Sequence, residues 1–171
     1  EGAKALSESV FLNSLESLDL SYNQLTDPAL ESLAPAPFAN LKSLRIRSNY
    51  FTKDGLLHLA NAPWLSTLEE LDISYHKIGA RGVGSWLKAA QMGAMRSLKM
   101  AQMGMGVSGA KVLASYDFQG TLKELSLSNN NLKSNGVKAL CSGTVLEGLT
   151  FLDLSNNQVG LEGIDSLLDS R

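Results

Sequence analysis

Apolar residues recur along the chain in the pattern L-x-x-L-x-L-x-x-N-x-L. It reads LESLDLSYNQL from Leu15, LKSLRIRSNYF from Leu41, LEELDISYHKI from Leu68, MRSLKMAQMGM from Met95, LKELSLSNNNL from Leu122 and LTFLDLSNNQV from Leu149, with steps of 26, 27, 27, 27 and 27 residues. Self-similarity at such a period is the mark of a stacked-repeat architecture. Two further columns keep the same phase: Ala29, Gly55, Gly82, Gly109, Gly136 and Gly163, then Leu33, Leu59, Trp86, Leu113, Leu140 and Leu167.

The pattern assigns elements within each unit. Positions 4 to 7 alternate apolar and polar, which predicts a short strand with positions 4 and 6 inward and their neighbours outward. The downstream half, as in GVKALCSGTVL from Gly136, spaces Val137, Leu140 and Cys141 helically. The column glycine falls where the chain enters that helix, a place for a close approach or an unusual backbone angle. One strand and one helix cannot bury their own apolar faces, whereas stacked units can, with the strands forming a parallel sheet.

These motifs resemble the ribonuclease-inhibitor type of leucine-rich repeat, and the resemblance spans essentially the whole chain. It implies an α/β solenoid, a segment of a curved horseshoe with a parallel β-sheet on the concave face and helices on the convex face. It is specific for the fold and nearly silent on function; a binding role is expected because repeat proteins bind through their concave face. Residues 1–171 then read as one domain: a partial repeat over 1–14 and repeats starting at 15, 41, 68, 95, 122 and 149. GAKAL from Gly2 aligns with GVKAL from Gly136, so the chain reads as opening within the helix of an earlier repeat, and Arg171 falls within the helix of the sixth. No polar cap is recognisable at either end, which points to a piece of a longer array or to self-association through open ends. The ninth position, Asn or Cys in the family, here reads Asn23, Asn49, His76, Met103, Asn130 and Asn157. A methionine cannot hydrogen-bond the neighbouring turn, so the polar ladder is expected to break in the fourth repeat.

Composition adds exclusions. Net charge is −2, from 15 basic and 17 acidic residues, with no global pull toward nucleic acid or an anionic membrane. The single cysteine, Cys141, allows no intrachain disulfide, and no N-x-Ser/Thr sequon occurs. No apolar run approaches the roughly 20 residues of a membrane span. The expectation is a cytoplasmic protein with no membrane contact.

Candidate chemistry is sparse. Gly104-Met-Gly106-Val-Ser-Gly109 spells G-x-G-x-x-G between a strand and a helix, the form of a dinucleotide cradle. The repeat explains it better, since Gly109 belongs to the glycine column and Gly106 aligns with Gly79 and Gly160. His58 and His76 lie in different repeats, with His76 on a ladder position and expected to make the asparagine's backbone bonds. Cys141 sits beside a core column and reads as a buried thiol, and no Cys/His cluster has zinc spacing. All five methionines lie between Met92 and Met105, a plastic stretch of core. No catalytic residue, cofactor or metal site is expected, and the chain reads as a non-enzyme.

Function is expected on the outward strand positions. The fifth reads Asp19, Arg45, Asp72, Lys99, Ser126 and Asp153, so acid and base alternate on adjacent strands. That predicts either a cross-strand ion-pair ladder or a mixed-charge stripe matched to a partner. Arg47 stands out at the seventh position, Tyr22 and Tyr75 at the eighth, and Glu70, Glu124 and Phe151 at the third. Tyr and Arg dominate interface hot spots. The expected footprint is Tyr22, Arg45, Arg47, Asp72, Tyr75 and Lys99, with Phe151 as an outlying anchor. The expected partner is another protein. Alternation of sign argues against nucleic acid, which needs a continuous basic stripe. The resemblance also leaves room for the recognition part of a larger protein, GTPase-activating or immune-receptor-like, or for a structural, self-associating array.

Overall fold

The structure, a computed structural model, describes residues 9–170. The expectation for the helix from Gly2 and the position of Arg171 lie outside the described residues. Among the described residues six strands alternate with six helices. They are β1 (Ser17–Asp19), α1 (Asp27–Leu33), β2 (Ser43–Arg45), α2 (Lys53–Ala60), β3 (Glu70–Asp72), α3 (Gly79–Ala89), β4 (Ser97–Lys99), α4 (Gly106–Ala114), β5 (Glu124–Ser126), α5 (Lys133–Cys141), β6 (Phe151–Asp153) and α6 (Leu161–Asp169). Two short 3₁₀ turns, Val10–Ser14 and Pro63–Thr67, have no counterpart in the sequence reading.

The strands form one parallel sheet in sequence order. Register follows the repeat: Leu18, Leu44, Leu71, Leu98, Leu125 and Leu152 stand side by side. A slip of one residue would turn every leucine to the other face, so the burial of positions 4 and 6 fixes the pairing. Leu44, Ile46, Leu71, Ile73, Leu98, Met100, Leu125 and Leu127 are all buried between sheet and helices, and Trp86 fills its leucine column completely buried. In the sixth repeat Leu152 and Leu154 are only half-buried. Each helix packs on the next in sequence, the neighbour-only contact of a one-dimensional stack.

The column glycines permit close approach. A Cβ on Gly55 would lie 2.9 Å from the Asp27 Cα, and one on Gly82 would lie 2.7 Å from the Lys53 Cβ. Positive φ angles recur instead in the turn after each strand. At the eighth position every repeat adopts the left-handed conformation: Tyr22 at 56°, Ser48 at 53°, Tyr75 at 68°, Gln102 at 52°, Asn129 at 58° and Asn156 at 55°.

Beside that turn runs the polar ladder. Asn130 Nδ2 donates to the carbonyls of Met100 at 2.7 Å and Leu127 at 3.0 Å, while its Oδ1 accepts from Met103 N–H at 2.9 Å and Met105 N–H at 3.2 Å. Asn157 repeats this on the fifth unit, accepting from Asn130 and Leu132. His76 does related work with a ring. Its Nε2 accepts from Asn49 N–H at 3.0 Å, so Nδ1 carries the proton and donates to the Ile73 carbonyl at 2.9 Å. At Met103 the rung is missing, as the sequence predicts. The fully buried thioether offers the third repeat no hydrogen bond, and Ile78 N–H turns instead to the His76 carbonyl at 3.0 Å.

Candidate functional site

The outward face of the sheet is built from positions 3, 5, 7 and 8 of successive repeats. Of the two readings that the sequence leaves for the fifth position, the ion-pair ladder does not form among the described residues. Asp19, Asp72 and Asp153 each accept the amide N–H two residues on, from Ser21 at 2.9 Å, Ser74 at 3.0 Å and Ser155 at 3.0 Å. These bonds draw each carboxylate toward the end of its own strand. The cation pairs diagonally instead: Arg45 Nη2 lies 3.3 Å from Glu70 Oε2, with both side chains about half exposed. Glu70 also accepts from the Ser43 hydroxyl at 3.1 Å, and Glu124 accepts from Ser97 at 2.9 Å. Burial pushes the Asp153 carboxyl upward, but the bonds from Ser155 and Ser126 outweigh it and hold the group below its ordinary range.

Asp72 departs from the expected footprint. It is 6 % exposed, although it points away from the leucine core. Its short side chain lies in a recess walled by the longer Arg45, Glu70 and Lys99. Ser74, on the same strand, is buried as well. The middle of the sheet therefore carries a low polar floor beneath taller side chains.

Arg47 is the centre of the one compact cluster on this face. Its guanidinium carbon lies 4.9 Å from the Tyr22 ring centroid and 5.1 Å from that of Tyr75, so a cation is bracketed by tyrosines from the strands on either side. Arg47 Nη2 also donates to the Tyr22 hydroxyl. Its Nε is buried and meets no acceptor among the described residues. Both tyrosines remain exposed at their outer surfaces. Sequence analysis names these three residues separately, and the structure joins them. The signal was present: tyrosine is poorly suited to a left-handed turn position, where a bulky residue is an outlier.

Lys99 stands exposed two strands from Arg47, level with Arg45 on β2 and separated from it by Asp72 on β3. Phe151, 52 % exposed on β6, is not brought to this cluster; four strand spacings separate it from Arg47, about 19 Å. It shares the sixth repeat with Leu161, Ile164 and Leu168, which are also exposed. Ile164 occupies a column that is fully buried in the preceding repeats, at Leu30, Leu56, Val83, Ala110 and Val137.

The remaining candidates resolve into structure. Among the loop amides of the G-x-G-x-x-G stretch, Gly106 N–H donates to the Asn130 carbonyl and Met105 N–H to the Asn130 side chain, so the following repeat uses the donors a phosphate would need. Gly104 and Gly106 take positive φ angles of 67° and 57° to form the turn. His58 is exposed on α2. Burial pushes the His76 imidazole below its usual range and keeps it neutral. Cys141 is half-buried, not enclosed as expected, because its helix end is only partly covered by α6; its burial still raises the thiol. Among the described residues no cluster of His, Cys, Asp and Glu could hold a metal, and no helix is long and apolar enough to cross a membrane.

Comparison with curated protein sequences finds no match. A family model described as Leucine Rich repeat matches residues 11–34, 65–85, 121–141 and 149–168.

Proposed function

Since this chain belongs to the leucine-rich-repeat family, whose repeats are generally protein-interaction modules, we propose that it binds another protein through the concave strand face. The observation that carries this reading is the Tyr22–Arg47–Tyr75 cluster. Two tyrosines held at left-handed backbone positions cost on the order of 1–2 kcal/mol each relative to a residue suited to the turn. The fold gains no buried core from them, since both are exposed. Residue types that weaken the turn while decorating the surface are what a binding hot spot requires.

The footprint is Tyr22, Arg47 and Tyr75, flanked by Arg45 and Lys99, with Asp72 lying beneath them as floor. The reading is of a non-enzymatic scaffold of the ribonuclease-inhibitor repeat type, needing no cofactor. The lone Cys141 and the absence of sequons fit a reducing, cytoplasmic setting. The mixed charge of the face suits a protein partner better than nucleic acid.

The test is a pull-down from source-cell lysate with the wild-type chain and with Arg47→Ala/Tyr75→Ala/Lys99→Ala, both checked for folding by circular dichroism. A protein retained by the wild type and lost by the folded variant is the expected result. Equal retention by both would place binding elsewhere.

A second reading rests on the end of the stack. Leu161, Ile164 and Leu168 form an exposed apolar stripe at helical spacing on α6. Stacking of another repeat unit, from a longer array or a second copy, would cover it as each inner repeat covers its neighbour. A concentration-dependent elution volume in size-exclusion chromatography, abolished by Leu161→Ser/Leu168→Ser, is the outcome that reading expects.

A further inference from the structure

We propose that the partner presents an extended acidic segment, with two carboxylates four residues apart that dock on Arg47 and Lys99. The inference rests on the concave-face reading above and deepens it.

The charge accounting of the face is asymmetric. Its carboxylates are engaged within the protein: Asp19 and Asp72 by the amides of Ser21 and Ser74, Glu70 by Arg45 and Ser43, Glu124 by Ser97, and Asp153 by Ser126 and Ser155. Two of its cations are not. Arg45 is paired, but neither Arg47 nor Lys99 forms an ion pair among the described residues. Bonds from neutral donors cancel no charge and the face stays mixed; what sets Arg47 and Lys99 apart is that no carboxylate among the described residues pairs with either.

The form of the Arg47 site selects the ligand. Tyrosine rings bracket the guanidinium, which leaves recognition to its edge. Among the described residues only one of its five N–H donors has an acceptor, the Tyr22 hydroxyl. A planar fork of donors matches a carboxylate, which can accept two of them at once. The flanking rings would pack against the apolar stem of an Asp or Glu side chain, and a flat aromatic wall orders the arginine before binding.

Spacing supplies the second half. Arg47 and Lys99 lie two strands apart and two residues apart along the strand direction. At about 4.8 Å per strand and about 3.3 Å per residue the two positions are roughly 12 Å apart. Carboxylates four residues apart in an extended chain point to the same side and span about 13 Å.

The test measures fluorescence anisotropy of the full chain with short labelled peptides in a Gly/Ser/Thr background. One carries two Glu residues four apart. Others carry the pair as adjacent residues, carry Gln in place of both, or carry Lys in place of both. A single-stranded oligonucleotide of similar length is a further probe. The spaced Glu peptide should bind about tenfold more tightly than the Gln or the adjacent-Glu peptide and weaken as salt rises. Arg47→Ala and Lys99→Ala should each remove about a tenfold factor, and Arg47→Lys should not restore the first. Asp165→Ala, on the far helix α6, should change nothing. Absence of binding, equal binding of the Gln or Lys peptides, indifference to Glu spacing, or tighter binding of the oligonucleotide would overturn the proposal. A lysate partner that depends on Arg47 and Tyr75 yet is not displaced by excess spaced Glu peptide would overturn this inference while leaving the concave-face reading intact.

Discussion

The second and third repeats, set against the fifth and sixth, show one scaffold used in two ways. In the later pair the turn after each strand reads Ser128-Asn129-Asn130 and Ser155-Asn156-Asn157. Asn129 and Asn156 occupy the left-handed position, which asparagine tolerates well, and Asn130 and Asn157 make the full set of ladder bonds. In the earlier pair the same turns read Arg47-Ser48-Asn49 and Ser74-Tyr75-His76. There a tyrosine takes the left-handed position, an imidazole replaces an amide in the ladder, and an arginine rises from the seventh position between two rings. The later repeats place fold-favouring residues where the backbone asks for them. The earlier ones sacrifice backbone fit for surface chemistry.

The contrast can be broken most forcefully from the core. Leu127→Ala, at a fully buried inward position, should cost roughly 2–5 kcal/mol in denaturant unfolding, whereas Leu154→Ala, half-buried in the sixth repeat, should cost distinctly less. Equal losses would mean that the sixth repeat is covered in solution. Next in size is the ladder. Asn130→Ala strips the buried turn of its amide partners and should cost about 3 kcal/mol, since the Met103 and Met105 amides and the Met100 and Leu127 carbonyls lose their partner.

The imidazole rung gives the earlier repeats a pH dependence that the later ones lack. His76 is neutral in the fold, with its pKa pushed below the ordinary 6.5 by burial, so the unfolded chain binds the proton more readily. Stability should hold above that value and fall as pH drops through and below it, by at most about 1.4 kcal/mol per pH unit from this group. His76→Asn, which installs the residue of the regular repeats, should remove that component from a pH series of urea melts. A smaller effect of opposite sign is expected at the turn. Tyr75→Asn should stabilise the protein by about 1 kcal/mol, through the better fit of asparagine to a φ of 68°, while weakening partner binding. Smallest of all, Arg45→Ala should change stability by no more than about 0.5 kcal/mol, because its ion pair with Glu70 is half exposed.

Most of the architecture is legible in the sequence because stacking turns period into register. Once Leu18, Leu44 and Leu71 are aligned, their pairing as neighbours follows, and so does the burial of Trp86 in a leucine column. The missing rung at Met103 is legible for the same reason, since ladder chemistry depends on one residue type at one position. The face was less legible. Asp72 shares its sequence position with the exposed Asp19 and Lys99, and only the heights of its neighbours bury it. The choice of Glu70 over Asp72 as the partner of Arg45 also depends on side-chain reach and on competition from the Ser74 amide, which periodicity does not encode. The bracketing of Arg47 by Tyr22 and Tyr75 needed the left-handed turn, which sets where the rings stand.

The rung absent at Met103 also divides the stack in time. Elsewhere a side chain of one repeat is hydrogen-bonded into the turn before it, so that neither unit can open without disturbing the other. Between the third and fourth repeats that tie is missing, and the turns are held by apolar packing, strand pairing, the Gly79 N–H bond to the Met103 carbonyl and the Ala101 N–H bond to the Ser74 hydroxyl. Native-state hydrogen exchange should accordingly show two cooperative blocks meeting at this seam, with the amides of Asn130 and Leu132 exchanging as one group and those of Leu25 and Asn49 as another.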